Sequence, residues 1–255
     1  MSSVKIEKQG NLGLLRMDKA RGNAIDEPFA EDMLAATRAL AEDDGVHGVV
    51  LASGHPKLFC PGLDLVTLYQ YDRPSMARFM GKFADAVLAL FALRKPVVAA
   101  IAGHAVAGGC VLALTADHRI LRRGSQIGLN EVRVGLPLPW SVALLLKAAV
   151  PPASLSRVAL LGENFADDEA RTIGLVHEVR EAEGFEAACL ARAREFAEKD
   201  RSAVGTTKAY LRDAALREMQ SQEKALQADF LDAWFSPSAR EKIGQTVEAL
   251  AKKAS

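Results

Sequence analysis

The sequence predicts an α/β domain followed by a region that contains only helices. Two short, uninterrupted apolar stretches, residues 46–51 and 96–101, are typical of strands buried on both faces. Each is followed by a turn that contains glycine, and helical patterns separate them, which favours parallel strands. From Phe185 onward the pattern is almost entirely helical, so we divide the chain into residues 1–184 and 185–255.

Composition limits the classes of function. Of the 255 residues, 49% are hydrophobic, which is enough for a large core. Lys plus Arg equals Asp plus Glu at 32 each, so the charge favours neither nucleic acid nor an anionic membrane as a partner. Three cysteines without paired spacing predict reduced thiols and a cytoplasmic protein. The N-terminus lacks a signal-peptide pattern, and no apolar run approaches the roughly 18 residues of a membrane span.

The first elements are predicted to form a strand-helix-strand unit. Residues 12–17 are apolar enough for a strand. Asp26 is the predicted N-cap of the following helix, with Glu27 and Pro28 in its first turn. Four apolar residues at helical spacing then predict one buried helix face: Phe29, Met33, Ala36 and Leu40.

The turn that follows the second apolar stretch contains a glycine pair. A helical pattern begins at Gly108 and Gly109, so the glycine pair is predicted in the first turn of a helix. The first N–H groups of a helix have no partner within it, and glycine lets another group approach the backbone closely. This geometry is typical of an anion or oxyanion site. The alternative is that the glycines serve only tight packing.

A second glycine turn follows the stretch at 46–51. Pro61 has no N–H, and Gly62 permits an unusual backbone conformation. The next free donor is therefore the N–H of Leu63. Together, the two turns can direct one N–H group each to a common point.

These residues resemble motifs of the crotonase superfamily, the enoyl-CoA hydratases and isomerases. Residues 59–65, Phe-Cys-Pro-Gly-Leu-Asp-Leu, are similar to its first oxyanion motif, and residues 107–110, Ala-Gly-Gly-Cys, to its second. The similarity continues through residues 116–120, 128–131 and 174–179, so it covers nearly the whole chain. It implies a crotonase-type ββα spiral core, oxyanion N–H groups from Leu63 and Gly108, and an acyl-CoA substrate bound along five consecutive residues: Pro61, Gly62, Leu63, Asp64 and Leu65.

One departure from the hydratase pattern is informative. Hydratases of the superfamily carry two catalytic glutamates, whereas this chain has Val111 at the first position and Glu131 at the second. Hydration calls for a carboxylate that activates water and a group that handles the proton delivered to the α-carbon. A single carboxylate suits a 1,3-proton shift, and this pattern is similar to that of the mitochondrial-type 3,2-enoyl-CoA isomerases. The resemblance therefore implies an isomerase without a separate cofactor, since CoA is part of the substrate.

The surroundings of Glu131 allow two interpretations. A glutamate is usually a solvated surface residue. Here apolar residues stand on both sides, Ile127 and Leu129 before it and Val132 and Val134 after it. Such neighbours favour partial desolvation, which raises the pKa of a carboxyl group and makes it a more competent base. The family resemblance favours this second interpretation.

Two further apolar segments are candidates for walls of an acyl pocket. Residues at 76–91 fall mostly on one helical face and belong either to the core or to a pocket wall: Met76, Met80, Phe83, Val87, Leu90 and Phe91. Pro137, Pro139 and Trp140 form either the floor of that pocket or ordinary packing. For the CoA phosphates, Lys19 and Arg21 are candidates, and ordinary surface charge is the alternative for each.

Histidine and metal chemistry are not favoured by the sequence. His104 lies nearest the glycine pair, where a structural hydrogen bond is the favoured interpretation. The other four, His47, His55, His118 and His177, have no partner at a useful spacing in the sequence. No His or Cys spacing indicates a metal site, and no lysine follows the glycine pair as in a phosphate-binding loop.

Four helices are predicted in the C-terminal region. They cover residues 185–199, 203–218 and 221–235, and the last is opened by a capping box of Ser238 and Glu241. Family members form trimers, often paired into hexamers, through helices at this end. The resemblance thus implies a homotrimer or hexamer, with part of an apolar stripe at the interface and intramolecular packing as the alternative: Leu226, Phe230, Trp234 and Phe235.

Other functions stay open at this point. Hydration, hydrolysis and decarboxylation through a thioester enolate would all use the same oxyanion site. A protein that binds acyl-CoA without catalysis and serves as an assembly partner is an alternative from a different class.

Overall fold

The strands of this protein form two sheets in a computed structural model, which describes residues 2–254 apart from the side chains of residues 21, 223, 224, 253 and 254. Within that range six strands form a large sheet in this spatial order: Val4–Gln9 (β1), Leu12–Met17 (β2), Gly48–Ser53 (β3), Val97–Ile101 (β5), His118–Arg122 (β7) and Glu178–Arg180 (β10). Four others form a small sheet, again in spatial order: Leu58–Cys60 (β4), His104–Val106 (β6), Gln126–Gly128 (β8) and Phe165–Ala166 (β9).

Helices follow most of the strands. In the same described range they are Ala20–Asn23 (α1), Glu27–Glu42 (α2), Leu65–Leu68 (α3), Arg73–Ala92 (α4), Gly108–Leu114 (α5), Trp140–Ala149 (α6), Leu155–Leu160 (α7), Asp167–Thr172 (α8), Phe185–Ala197 (α9), Arg201–Trp234 (α10) and Pro237–Ala254 (α11). Two 3-10 turns, Glu131–Val134 and Pro152–Ser154, complete the elements. Among these helices, none combines the length and the apolar character needed to cross a bilayer.

The chain repeats a unit of one large-sheet strand, one small-sheet strand and a helix. β3 is followed by β4, β5 by β6 and β7 by β8, and the strands β4, β6 and β8 are parallel neighbours in the small sheet. This is the predicted ββα spiral. The two glycine turns follow β4 and β6, and Glu131 follows β8. Because the carboxyl ends of parallel neighbours meet at one edge of a sheet, the fold brings these three segments together.

The strands before the glycine turns differ from the prediction. We expected the turns to follow the apolar stretches at 46–51 and 96–101 directly. Those stretches correspond to β3 and β5 of the large sheet, and a three-residue strand of the small sheet intervenes each time. Segments this short carry too few residues to show a period of two.

Both faces of the large sheet are covered, which explains its uninterrupted apolar strands. Helix α9 covers one face, where Phe185, Cys189 and Ala193 pack against Leu14 and Val98. The opposite face belongs to the main core, which includes the buried faces of α2 and α4 and most of α5. Helix α2 forms as predicted, and the carboxylate of Asp26 accepts the N–H of Phe29 at 3.0 Å as its N-cap.

Buried charges join the C-terminal helices to this core. Asp117, directly before β7, accepts hydrogen bonds from Lys208 and Arg212 of α10, each at 2.6 Å, and from the N–H of Val97 at 2.7 Å. Lys208 is only 6% exposed, and burial lowers the pKa of its ammonium group to about 8. Helix α10 is therefore held against the sheet by a charged contact that would be costly to break.

The C-terminal helices correct two predictions. Residues 203–218 and 221–235 belong to one continuous helix, α10, because Met219 is fully buried and keeps the apparent break packed against the core. Helix α11 begins at Pro237 rather than at Ser238, and Ser236 caps it by accepting the N–H of Ala239. The division of the chain after residue 184 stays a prediction.

The apolar stripe of α10 packs within the chain. Trp234 is fully buried and Phe230 is 3% exposed, so the intramolecular alternative holds for both residues. Leu226 and Phe235 are half-buried. The large apolar side chains that are most exposed lie elsewhere in the described residues, as two adjacent pairs: Leu160 with Leu161, and Tyr210 with Leu211.

Candidate active site

A backbone bridge to Ile25 fixes the direction of the Leu63 N–H. Ile25 donates its N–H to the carbonyl of Gly62 at 2.8 Å and accepts the N–H of Asp64 at 2.8 Å. These bonds flank Leu63, and in a parallel bridge the flanked residue turns its own N–H to the other side. Gly62 makes the turn possible, because its φ of +99° lies in the left-handed region. The Leu63 N–H thus points away from Ile25.

Gly108 presents the second N–H group. It is the first residue of α5, so its N–H has no acceptor within the helix. Ala107 before it has φ +49° and ψ −122°, a strained conformation that costs roughly 1–3 kcal/mol for a residue with a side chain. The N–H of Ala107 donates to the carbonyl of Gly128, the last residue of β8, at 2.8 Å. The neighbouring strand therefore helps to hold the strained turn.

The two turns pack directly against each other. A methyl group added at Gly62 would lie 3.2 Å from the nitrogen of Gly108. One added at Gly109 would lie 2.0 Å from the carbonyl oxygen of Cys60, far inside a normal contact. Glycine at position 109 is thus required by the close approach of β4 to the first turn of α5. Both candidate donors consequently lie on the same wall of one cavity.

Glu131 opens the 3-10 turn that follows β8. The residue as a whole is half-buried, but its Oε2 atom is buried and has no hydrogen-bond partner within the described part of the chain. Burial raises the pKa of this carboxyl group from 4.5 to about 7. The structure agrees with the predicted desolvation, and the group can exchange a proton near neutral pH.

The two turns and Glu131 share a cavity of about 560 Å³. Apolar side chains from six helices, α3, α4, α5, α6, α10 and α11, line it, among them Met80, Phe83, Val142, Phe230 and Leu250. Met80 and Phe83 are also buried core residues, so both interpretations of the 76–91 segment hold. Pro139 lines the cavity as well. A cavity of this size and character fits an elongated apolar ligand.

The two lining carboxylates differ in what they bind. Asp64 caps α3 by accepting the N–H of Thr67 at 3.2 Å, and its other oxygen lies 3.9 Å from the Lys19 ammonium. Glu131 keeps an unpaired oxygen. Val111, which is 1% exposed, occupies the wall of the same cavity.

Comparison with known sequences decides the family. A sequence model described as enoyl-CoA hydratase/isomerase matches residues 7–252. The chain belongs to the enoyl-CoA hydratase/isomerase family. The predicted resemblance to the crotonase superfamily is thereby confirmed.

Curated relatives within this family carry different reaction names. The mitochondrial enoyl-CoA delta isomerase 1 of Rattus norvegicus is 31% identical over 180 residues, which are 69% of this chain and 62% of that protein. The alignment thus spans less than two thirds of the rat isomerase. A probable enoyl-CoA hydratase of Mycobacterium avium is 32% identical over 206 residues, 79% of this chain and 78% of that protein. The rat protein is named as mitochondrial, and the cytoplasmic location of this chain stays a prediction.

Solved structures of the family share this fold. The crystal structure of human mitochondrial delta3-delta2-enoyl-CoA isomerase superposes with a TM-score of 0.95 at 25% identity, covering 99% of this chain and 100% of that one. The predicted α/β fold with C-terminal helices is therefore confirmed.

The structure brings most of the predicted site residues of this family member together. Pro61, Leu63, Asp64, Leu65, Gly108 and Glu131 line the cavity. Gly62 lies behind the wall, against Gly108. Their roles in binding and catalysis stay predictions.

The two candidates for binding the CoA phosphates are Lys19 and Arg21. Lys19 donates to the carbonyl of Ala24 at 2.7 Å and pairs with Asp26 at 2.7 Å, so its charge is already used within the chain. The side chain of Arg21 lies outside the described residues.

The histidines make structural contacts, some of them with residues that are distant in sequence. His104 accepts the N–H of Gln126 at 3.1 Å, which is the predicted structural role. His118 and His177, which have no partner at a useful spacing in the sequence, are brought together by the fold: their rings stack with centroids 4.7 Å apart, and His118 Nε2 lies 2.8 Å from Glu178 Oε1. Burial lowers the pKa of His177 to about 4. The pairing of β7 with β10 brings these residues together, and no local sequence signal reports it.

Proposed function

We propose that this protein is a 3,2-enoyl-CoA isomerase, which moves the double bond of a 3-enoyl-CoA to the 2-position. One observation carries the proposal. Within the described residues, the cavity that holds both candidate amides offers one carboxylate with an unpaired oxygen, Glu131, and an aliphatic side chain, Val111, at the second glutamate position of hydratases.

The reaction needs one base and one site for negative charge. The Glu131 carboxylate removes a proton from carbon 2 of the thioester, and the electron pair moves onto the carbonyl oxygen to give a dienolate. The N–H groups of Leu63 and Gly108 donate to that oxygen, and each such donor typically contributes about 2.7–4 kcal/mol of transition-state stabilisation. Glu131 then returns the same proton to carbon 4, which leaves the double bond in conjugation with the carbonyl.

Two properties of the site support an isomerase over a hydratase. Val111 can neither activate water nor transfer a proton, so one of the two groups that hydration calls for is missing. The cavity walls are mostly apolar, which excludes competing water from the dienolate. The CoA part of the substrate is proposed to lie along residues 61–65.

Assembly as a trimer or hexamer belongs to the proposal. Because Trp234 and Phe230 are buried within the chain, exposed side chains such as Tyr210 and Leu211, at 78% and 80% exposure, are better candidates for an interface. Light scattering after size-exclusion chromatography would give the mass, and a monomer at micromolar concentration would contradict this part of the proposal.

Product analysis tests the proposed reaction. The purified protein is incubated with 3-octenoyl-CoA while ultraviolet absorbance follows the conjugated thioester, and mass spectrometry then identifies the products. We expect conversion to 2-octenoyl-CoA without a hydroxyacyl product. Mostly hydroxyacyl-CoA would instead establish a hydratase, and free CoA would establish a hydrolase.

Glu131→Gln separates an enzyme from a silent binder. Loss of the base should lower turnover by about 10²–10⁴-fold, while the affinity for a saturated acyl-CoA stays nearly unchanged. A protein that binds acyl-CoA without any turnover before substitution would support the binding alternative.

A further inference from the structure

A short segment ahead of α2, residues 23–25, touches both candidate oxyanion turns. Asn23 within it is fully buried and has a positive φ of +69°. We infer that Asn23 is a positioning residue, which holds the turn that presents the Leu63 N–H to the thioester oxygen. This inference rests on the oxyanion site of the proposed function and adds a residue that contacts neither substrate nor base.

The side chain of Asn23 joins two strand ends. Its Nδ2 donates to the hydroxyl of Ser53 at 2.9 Å and to the carbonyl of Phe59 at 3.0 Å, and its Oδ1 accepts the N–H of Lys19 at 2.8 Å. Ser53 ends β3, and Phe59 lies in β4. The amide orientation is unambiguous, because the Lys19 N–H requires an acceptor and the Phe59 carbonyl requires a donor.

The backbone of Asn23 reaches the same turn. Its carbonyl accepts the thiol of Cys60 at 3.1 Å, and the sulfur of Cys60 lies 3.4 Å from the nitrogen of Gly62, which donates to it. Asn23 therefore contacts the turn on both sides of residue 60. Asn23, Cys60 and Gly62 are all buried, so solvent cannot replace a lost partner among them.

Ile25 connects Asn23 to both candidate donors, the N–H groups of Leu63 and Gly108. Its backbone brackets Leu63 through the bonds to Gly62 and Asp64. Its side chain also packs against Gly108, where an added methyl group would lie 2.9 Å from the Ile25 Cδ1. The positive φ of Asn23 sets the direction in which the chain enters this bridge. A shift at Asn23 would thus move the Leu63 N–H relative to Gly108.

Asparagine suits this position for three physical reasons. It adopts the left-handed backbone region more readily than most residues. It supplies two donors and an acceptor on a short side chain, and it carries no charge that would need a buried partner. Aspartate would place a carboxylate oxygen against the Phe59 carbonyl. Glycine would keep the backbone conformation but lose all three side-chain bonds.

A purely stabilising role is the competing explanation, so the test needs a readout of the oxyanion site itself. Octanoyl-CoA with carbon-13 at the thioester carbonyl binds without reacting, and isotope-edited infrared spectroscopy gives the carbonyl stretching frequency in the complex. Hydrogen bonds from the two amides polarise the carbonyl and lower this frequency. The measurement requires binding and is independent of turnover.

Three variants are compared with the unaltered protein. Asn23→Gly removes the side chain and keeps the backbone freedom, and Asn23→Asp keeps the acceptor for Lys19 while removing the donor to Phe59. Thr37→Ala is the matched control, because Thr37 is 2% exposed, donates to the carbonyl of Met33 at 2.7 Å and lies in α2 away from both turns.

We expect both Asn23 variants to lose about half or more of the frequency shift and to turn over about 10–100-fold more slowly, with KM nearly unchanged. The pH at which activity reaches half of its maximum, near 7, should be the same in the Asn23 variants as in the unaltered protein, because Glu131 is not displaced. Thr37→Ala should change neither the frequency nor the turnover of the folded protein. Asn23 variants with the full frequency shift, whatever their turnover, would overturn the inference.

The outcomes also separate this inference from the proposed function. An unaltered protein that shows the frequency shift but isomerises no 3-enoyl-CoA would overturn the isomerase while the Asn23 variants still decide the inference. Octanoyl-CoA bound without any shift would mean that the amides do not contact the thioester. The proposed function and the inference about Asn23 would then both be wrong.

Discussion

Glu131→Gln should make the protein more stable at alkaline pH, although it removes the proposed base. The Glu131 carboxyl group has an unpaired buried oxygen and a pKa raised from 4.5 to about 7 by burial. A carboxyl group whose pKa is higher in the folded state binds more protons there than in the unfolded state. The free energy of unfolding therefore falls as pH rises from 4.5 toward 7, and glutamine should abolish this fall.

The size of the effect follows from the same values. Since a tenfold change in proton affinity corresponds to about 1.4 kcal/mol, the buried charge should destabilise the protein by about 3 kcal/mol at pH 8 and by about 1 kcal/mol at pH 5. Glutamine has a similar shape and no charge, so its advantage should grow by about 2 kcal/mol between these two pH values.

Urea unfolding at both pH values measures this difference directly. Glu248→Gln on α11 serves as the control, because Glu248 is an exposed residue of the same type. It should shift the unfolding midpoint equally at the two pH values. If Glu131→Gln changes stability by the same amount at pH 5 and pH 8, the carboxylate is not desolvated and its assignment as a tuned base is wrong.

Four further substitutions test the site and its scaffold. Val111→Glu places a second carboxylate on the cavity wall and should raise the ratio of hydroxyacyl to isomerised product, as mass spectrometry would show; an unchanged ratio would mean that residue 111 does not decide the reaction. Gly109→Ala puts a methyl group 2.0 Å from a carbonyl oxygen and should cost more than about 4 kcal/mol of stability in urea unfolding. Gly81→Ala in α4 is its control, because the added methyl group would meet nothing within 4 Å beyond the neighbouring backbone of its own helix, and it should stabilise by about 0.5–1 kcal/mol. Asp117→Asn leaves two cations of α10 without their carboxylate and should cost about 3–5 kcal/mol, and a loss below about 1 kcal/mol would show that this pairing does not anchor the helix.

The donors and the base of the candidate site were predicted because their signals are local. The signals are a proline-glycine turn, a glycine pair at the start of a helix and a glutamate between apolar residues, and each of them occupies only a few consecutive positions. Residues 12–17 and helix α2 were predicted for the same reason, since period and capping are local properties. The family resemblance then placed these segments in one site.

The residues that hold the site in place were missed because their partners are distant in sequence. Nothing around Asn23 and Ile25 reports that they contact residues 59–64, and the stacking of His118 on His177 depends on which strands are neighbours. The short strands β4 and β6 leave no periodic pattern. The continuity of α10 was missed since a polar stretch such as 220–222 reads as a break until the burial of Met219 is known.

The central claim is that one carboxylate carries the same proton from carbon 2 to carbon 4. It can be tested with 3-octenoyl-CoA that bears deuterium at both carbon 2 positions, converted in ordinary water and analysed by mass spectrometry. If a single shielded base carries the proton, a measurable share of the 2-octenoyl-CoA should keep both deuterium atoms, one of them at carbon 4. Glu131→Gln should abolish this product. A product in which every molecule has lost one deuterium at the earliest times would contradict the account.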